Sequence, residues 1–319
     1  MSFSPQRILL GIVLAIVAAD VVWACLFHFD IDVRAYFFVG EIAAAMAVGG
    51  FFYARVRKNG NLSAMLTGAG FVIAFATAFS LLNYFLLTVA GPRIDFFLGG
   101  VDRAMGVDWP ALMRFASLHP LLNKGLAFAY TSVLPQIALL IVCLGLCSRP
   151  KEIYALCFAI ASGAMATVLI WTLMPSFGAF SIYDLPPSVS GRLFVVLDAQ
   201  YARDLVTLLA HGPGRISPSQ MKGLIGFPSF HASLAVFVTW YARDLKFIRW
   251  PVLALNCVVL FATPIQGGHH VIDVIAGVAM AALAIALARR VMAKAPAASR
   301  DAAAHAKIPT ALSGHAPAP

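Results

Sequence analysis

Three ionisable side chains in two short stretches could carry out chemistry. They are His231 in Gly226-Phe227-Pro228-Ser229-Phe230-His231, and His269 with Asp273 in Gly267-Gly268-His269-His270-Val271-Ile272-Asp273. A histidine and an aspartate four residues apart share one face of a helix, so the Asp273 carboxylate can hold the His269 ring and leave its other nitrogen free as a nucleophile. His231 would supply a proton to the departing group and later activate a second acceptor. If the helices that follow both stretches begin at one membrane face, their free amides and positive dipole ends favour a bound phosphate there. The Gly267-Gly268 pair allows close backbone approach, which places Gly268 among the substrate-binding residues, and Ser229 would hydrogen-bond a phosphoryl oxygen. The chemistry these residues spell is in-line attack of His269 on phosphorus to give a phosphohistidine.

The elements that must hold these residues are membrane helices. With 61% hydrophobic and 12% charged residues, the 319-residue chain cannot be sorted into a soluble core and a wetted surface. Eight apolar runs of ~20 residues, enough to cross a ~30 Å hydrocarbon core, predict an all-α polytopic bundle. They cover 8–27, 36–53, 62–89, 127–146, 153–174, 224–242, 250–266 and 271–292. Residues 1–126 read as N-terminal transmembrane helices plus an interfacial segment, and 127–293 as a catalytic transmembrane core. Residues 294–319, rich in Ala and Pro without apolar periodicity, read as a disordered cytoplasmic tail.

Basic residues predict the orientation, since cytoplasmic loops retain positive charge. With the N-terminus inside, the inner segments hold Arg7; Arg55, Arg57 and Lys58; Arg149 and Lys151; Arg243, Lys246 and Arg249; and Arg289, Arg290, Lys294, Arg300 and Lys307. That makes 14 of the 23 Lys and Arg residues. Both histidine stretches then face the extracytoplasmic side. The compact loops suggest a bacterial inner membrane with a periplasmic site, although a Golgi-type membrane with a luminal site would give the same charge pattern. The net charge of +9 belongs to this inner collar and is matched by anionic head groups, so no nucleic-acid partner is implied. The first apolar run lacks a small-residue cleavage site and reads as an uncleaved span. Cys25, Cys143, Cys147, Cys157 and Cys257 lie in or beside apolar runs and read as packing residues.

Two long segments separate the runs. Residues 93–124 repeat apolar side chains at helical spacing (Ile94, Phe97, Val101, Met105, then Trp109, Leu112, Phe115) and fit either an interfacial helix or a packed extracellular hairpin. Residues 175–223 lead into the His231 stretch and can cover the site as a lid that contributes cations. Arg203 and Lys222 are the first candidates for binding phosphate, with Arg192 and Arg215 behind them.

The two stretches resemble signatures of the type-2 phosphatidic acid phosphatase superfamily of membrane lipid phosphatases and phosphotransferases. Pro228, Ser229, Phe230 and His231 match its Pro-Ser-x-His, and His269 with Asp273 its His-x-x-x-Asp, with 38 positions between the two histidines. The resemblance covers about residues 127–290 and is closest to the inositol phosphorylceramide synthase-like branch, whose sites look like Phe-Pro-Ser-Leu-His and His-His-Tyr-Phe-Val-Asp. It implies a lipid phosphate or phospholipid substrate, a phosphohistidine intermediate and no cofactor. Two features depart from the family pattern. Ala262-Thr263 stands where the family carries Ser-Arg, and the lysine-led first signature is absent.

The same residues admit other readings. His231, His269 and Asp273 could ligate zinc, though no further ligand cluster accompanies them. A transporter or binder could use the same pocket without covalent chemistry. His270 is turned to another face and reads as structural, and His28, His119 and His211 as loop histidines. Asp20 and Glu41 lie inside the first two runs, where an ionised carboxylate is costly.

Overall fold

Backbone in hydrocarbon must satisfy its own donors and acceptors, and each apolar run of the sequence is helical over most of its length. The computed structural model describes residues 4–293, so the expectation for 294–319 lies outside the described residues. The chain opens with α1 (Pro5–Phe27), α2 (Val33–Arg55) and α3 (Gly60–Phe85). Two short helices follow, α4 (Asp95–Ala104) and α5 (Trp109–Leu118). Next come α6 (Pro120–Thr131), α7 (Val133–Leu146) and α8 (Pro150–Leu173). A second outer segment carries α9 (Pro187–Ser190) and α10 (Ala199–His211), and the chain ends with α11 (Phe230–Ala242), α12 (Arg249–Gln266) and α13 (Val271–Ala293). The described residues contain no strand, only one isolated bridge between Ile31 and Ile216.

The chain is an all-α polytopic bundle and an integral membrane protein. Among the described residues five helices, α1, α2, α3, α8 and α13, are long and apolar enough to span, and α6 with α7 passes the same test as a pair bent by 48° at its break. The remaining two expected spans are shorter. Helix α11 has 13 residues, about 20 Å at 1.5 Å per residue, less than a full crossing. It starts at Phe230 and not near Leu224, because Pro228 and the Ser229 cap set its first turn and residues 224–229 run as a loop held by Gly226 N–H on the Ser176 carbonyl (2.9 Å).

Helix α8 is the axis of the bundle. Ile153, Leu156, Cys157, Ala164, Val168 and Trp171 are buried, and Phe237 of α11 packs over Gly163. Such contacts stabilise by packing, since lipid tails are as apolar as the side chains. By contrast α1 and α2 expose Leu10, Leu14, Val21, Phe37, Phe38 and Phe51. Cys157 alone among the five cysteines is buried; Cys25, Cys147 and Cys257 are exposed and Cys143 is half-buried.

Residues 93–124 hold the short helices α4 and α5, which pack one side against the bundle and leave Phe96, Phe97, Met105 and Phe115 exposed on the other. Trp109 is buried, donates its indole N–H to the Pro264 carbonyl (2.9 Å) and stacks on Tyr183. The face expected to be buried in α4 is not the buried one. Phe97 and Met105 are exposed, whereas Asp95, Leu98, Gly99 and Asp102 turn inward. Two carboxylates with backbone amides to receive outweigh two apolar side chains that are left exposed.

Candidate functional site

Helix α13 begins at Val271, so His269 lies in the loop before it and not on a shared helical face with Asp273. The pair forms all the same. Gly268, at φ +61°, turns the loop in a conformation that favours glycine, and a Cβ there would sit 2.6 Å from the Phe180 ring. The Asp273 Oδ2 atom receives the His270 amide at 2.9 Å and faces His269 Nδ1 at 3.3 Å. The carboxylate accepts, so Nδ1 carries the proton and Nε2 presents its lone pair. Ser229 Oγ lies 3.3 Å from that Nε2 and accepts the Ala232 amide at 3.3 Å as the cap of α11.

The two sequence stretches are stitched together by backbone. Ser229 N–H donates to the Asp273 carbonyl at 2.9 Å, and Ser233 Oγ donates to the Gly277 carbonyl at 2.7 Å. A side chain on Gly277 would collide with the Ser229 carbonyl, so the closeness of α11 and α13 depends on that glycine. His231 stacks on Tyr130 with ring centres 3.9 Å apart, and its Nε2 donates to the Tyr130 carbonyl at 2.8 Å. A carbonyl only accepts, which leaves Nδ1 of His231 as its unprotonated nitrogen.

His269 is 6% exposed, and burial pushes its imidazole down to about 4 from an ordinary 6.5. The ring is therefore neutral near pH 7, the state a nucleophile needs. Beside it lies a cavity of about 30 Å³, walled by Phe177, Tyr201, Leu205, Gly226 and Gly267. That space admits water and no phospho-head group. Tyr201, Ala202 and Leu205 belong to α10, so this helix covers His269. A larger cavity of about 580 Å³ lies between α5, α12 and α13 and is lined by none of the candidate residues.

The candidate cations are engaged elsewhere. Lys222 pairs with Asp204, whose carboxyl is held below its usual range by Lys222 and Gln200, and Arg203 bonds the Gln200 side chain at 2.8 Å. Neither lines the cavity at His269. Arg215 faces Asp32 at 3.6 Å. The amide ends of α13 are likewise not free for phosphate, because Asp102 takes the Val271 and Ile272 amides at 2.8 and 3.0 Å. Ser229 N–H is spent on Asp273, and the Gly268 carbonyl accepts Ala179 N–H at 2.6 Å. Among the described residues no three of His, Cys, Asp and Glu assemble as metal ligands.

Sequence reasoning passed over two acids of α4. Asp95 is 1% exposed; its Oδ1 accepts Ser176 Oγ (2.8 Å) and the amides of Phe177 (2.7 Å) and Gly178 (3.0 Å), and its Oδ2 meets Arg93 at 2.7 Å. Gly178 in turn packs on the Gly268 carbonyl. Arg93 lies over the Phe177 ring at 5.3 Å. Asp102 is equally buried. Burial works against its charge, but the neighbouring His270 ring and the two α13 amides outweigh it and hold the carboxyl below its usual range. The available signal was their spacing: Asp95, Gly99 and Asp102 repeat at four and three residues, one face of a helix.

Compared with known proteins, the family model described as PAP2 superfamily matches residues 97–287, a stretch that holds both histidine motifs and most of α4. No curated protein and no solved structure matches the chain.

Proposed function

The chain belongs to the PAP2 superfamily, and from that premise we propose that it cleaves or transfers the phosphoryl or phospho-head group of a membrane lipid at the extracytoplasmic face. Membership supports a phosphatase or phosphotransferase type of activity. The observation that carries the finer reading is His269 held between Asp273 and Ser229, neutral and with one nitrogen directed away from its carboxylate partner.

In the first step His269 Nε2 attacks phosphorus and a P–N bond forms while the bond to the leaving oxygen breaks. His231 in its protonated form gives that oxygen a proton, after its ring has left the Tyr130 carbonyl or by way of Nδ1 once charged. The Asp273 carboxylate stabilises the charge that develops on the His269 ring. Ser229 turns its hydroxyl from Nε2 to a phosphoryl oxygen. In the second step His231 takes a proton from the acceptor hydroxyl, which attacks phosphorus and releases His269. Water as acceptor makes the protein a phosphatase; a lipid or polyol hydroxyl makes it a synthase of the inositol phosphorylceramide type. The Phe227-Pro228-Ser229-Phe230-His231 sequence, which resembles the Phe-Pro-Ser-Leu-His of the transferase branch, is what supports that reading.

Since the cavity has room for no more than water, α10 and the 222–226 loop lift to admit a head group. Arg203 and Lys222 ride on or beside this lid and gain access to phosphate only once it has moved.

The test is to give the detergent-purified protein a panel of phospholipids labelled at phosphorus and follow the label beside a His269→Ala variant. Label released as free phosphate by wild type alone identifies a phosphatase. Label carried into a new lipid or polyol identifies a transferase. Label that stays put in both proteins discards the enzyme reading for a lipid-phosphate binder or transporter.

A further inference from the structure

His270 is fully buried, and neither ring nitrogen has a hydrogen-bond partner. Its Nδ1 lies 3.7 Å from Asp102 Oδ2, facing that carboxylate but too far for a hydrogen bond. The same Asp102 receives the Val271 and Ile272 amides, while the His270 amide is bound to Asp273 Oδ2. Residues 269–273 are therefore pinned on two sides, by Asp273 from within the turn and by Asp102 from α4.

Gly99 permits this approach. A Cβ at Gly99 would lie 3.5 Å from His270 Cε1, 3.3 Å from the Tyr183 hydroxyl and 2.7 Å from Ile182 Cδ1. A helix cap requires no imidazole beside it, since a serine or asparagine alone satisfies the first amides. Burying two unpaired ring nitrogens costs stability, so capping alone leaves His270 unexplained.

We infer that Asp102 and His270 are positioning residues for the His269–Asp273 pair, so that α4 sets the line along which His269 Nε2 meets phosphorus. Asp102 holds the backbone at Val271 and Ile272 and faces the His270 ring, and the His270 amide holds the carboxylate oxygen that orients His269. The inference rests on the reading of His269 as the nucleophile.

The experiment is a double-mutant cycle on the full chain in detergent, using the labelled phospholipid that wild type turns over fastest. The variants are Asp102→Asn, His270→Gln and the two combined. Each single change is expected to lower kcat by roughly 10- to 100-fold, the scale of a small misplacement, with KM within about twofold. The double variant is expected to lose no more than the weaker single variant, because both changes break one unit. Wild-type kcat in His270→Gln, or a double loss equal to the product of the two single losses, would overturn the inference. His270→Gln leaves the α13 cap in place, so its kcat decides the matter even where Asp102→Asn does not fold. Activity in wild type that is indifferent to His269→Ala would instead remove the nucleophile reading, and this inference with it.

Discussion

The buried acids of α4 and the buried acid of α1 have the same chemistry and opposite surroundings. Asp95 and Asp102 are each 1% exposed, and between them they receive four backbone amides, a serine hydroxyl and a guanidinium. Asp20 is 5% exposed, and neither of its oxygens has a partner; the nearby Tyr36 hydroxyl has none either. The difference comes from where the neighbouring backbone stands. A helix interior spends its amides on its own carbonyls, whereas helix starts and turns have amides to give. Asp95 faces the 176–178 turn and Asp102 the start of α13; Asp20 faces only helix walls. In a bundle of this kind, a carboxylate can build a site only where the chain is interrupted.

The sharpest way to break that comparison is Asp95→Ala. It leaves the Phe177 and Gly178 amides, the Ser176 hydroxyl and the Arg93 guanidinium without their acceptor. Removing one partner of a buried pair costs about 3–5 kcal/mol. The expected result is loss of a folded detergent-soluble species or a large fall in melting temperature, with no turnover. A variant that melts like wild type would show that the turn is held by something else.

Gly277→Ala comes next. Its new methyl meets the Ser229 carbonyl, and α11 must move away from α13 to make room. Ser229 then leaves His269 by some tenths of an ångström. We expect kcat to fall roughly 10- to 100-fold while the protein stays folded. Unchanged kcat in a well-folded variant would separate the α11–α13 contact from the chemistry.

These two positions mark what the sequence made legible. The apolar runs gave the helices, and the His-x-x-x-Asp and Pro-Ser-x-His spacings brought His269, Asp273 and Ser229 together. The contact of His269 with Asp273 survives although His269 precedes the helix, because the His270 amide fixes the carboxylate that the shared helical face was expected to fix. Asp95 and Asp102 were passed over because, Arg93 apart, their partners lie 81 to 170 positions away, and the apolar periodicity drew attention to the opposite face of α4. Arg203 and Lys222 do not line the cavity at His269, for a local reason: Gln200 and Asp204, on the same helix as Arg203, bind both cations. The free amides expected at the start of α13 failed for the reason that Asp102 was missed.

A smaller effect is expected from pH, and it asks whether burial without charge behaves differently from burial with it. His269 is protonated in the folded chain only near pH 4, against 6.5 in the unfolded chain. Between those values the unfolded state binds more protons, so this residue makes the protein less stable as pH falls from 6.5 to 4, and the loss levels off below. Turnover limited by neutral His269 should hold down to about pH 5 and drop about tenfold per pH unit below 4. A rate profile whose acid limb lies near 6.5 would mean that the working nucleophile is exposed to solvent, as it would be with α10 lifted throughout.

The smallest effect is expected where the comparison predicts none. Asp20 lies in α1, before the stretch shared with the superfamily, and it receives no donor from any neighbour. Replacing it by asparagine keeps its shape and removes its capacity for charge. If the acids of α4 act because the backbone holds them, Asp20→Asn should leave kcat within about twofold and the melting temperature equal or higher, since an unpartnered buried carboxyl costs stability. A tenfold fall in kcat would break the comparison from the other side: α1 would then be tied to the site through the Tyr36 and Tyr84 hydroxyls, the latter already bonded to the Lys222 amide at 2.8 Å beneath the lid.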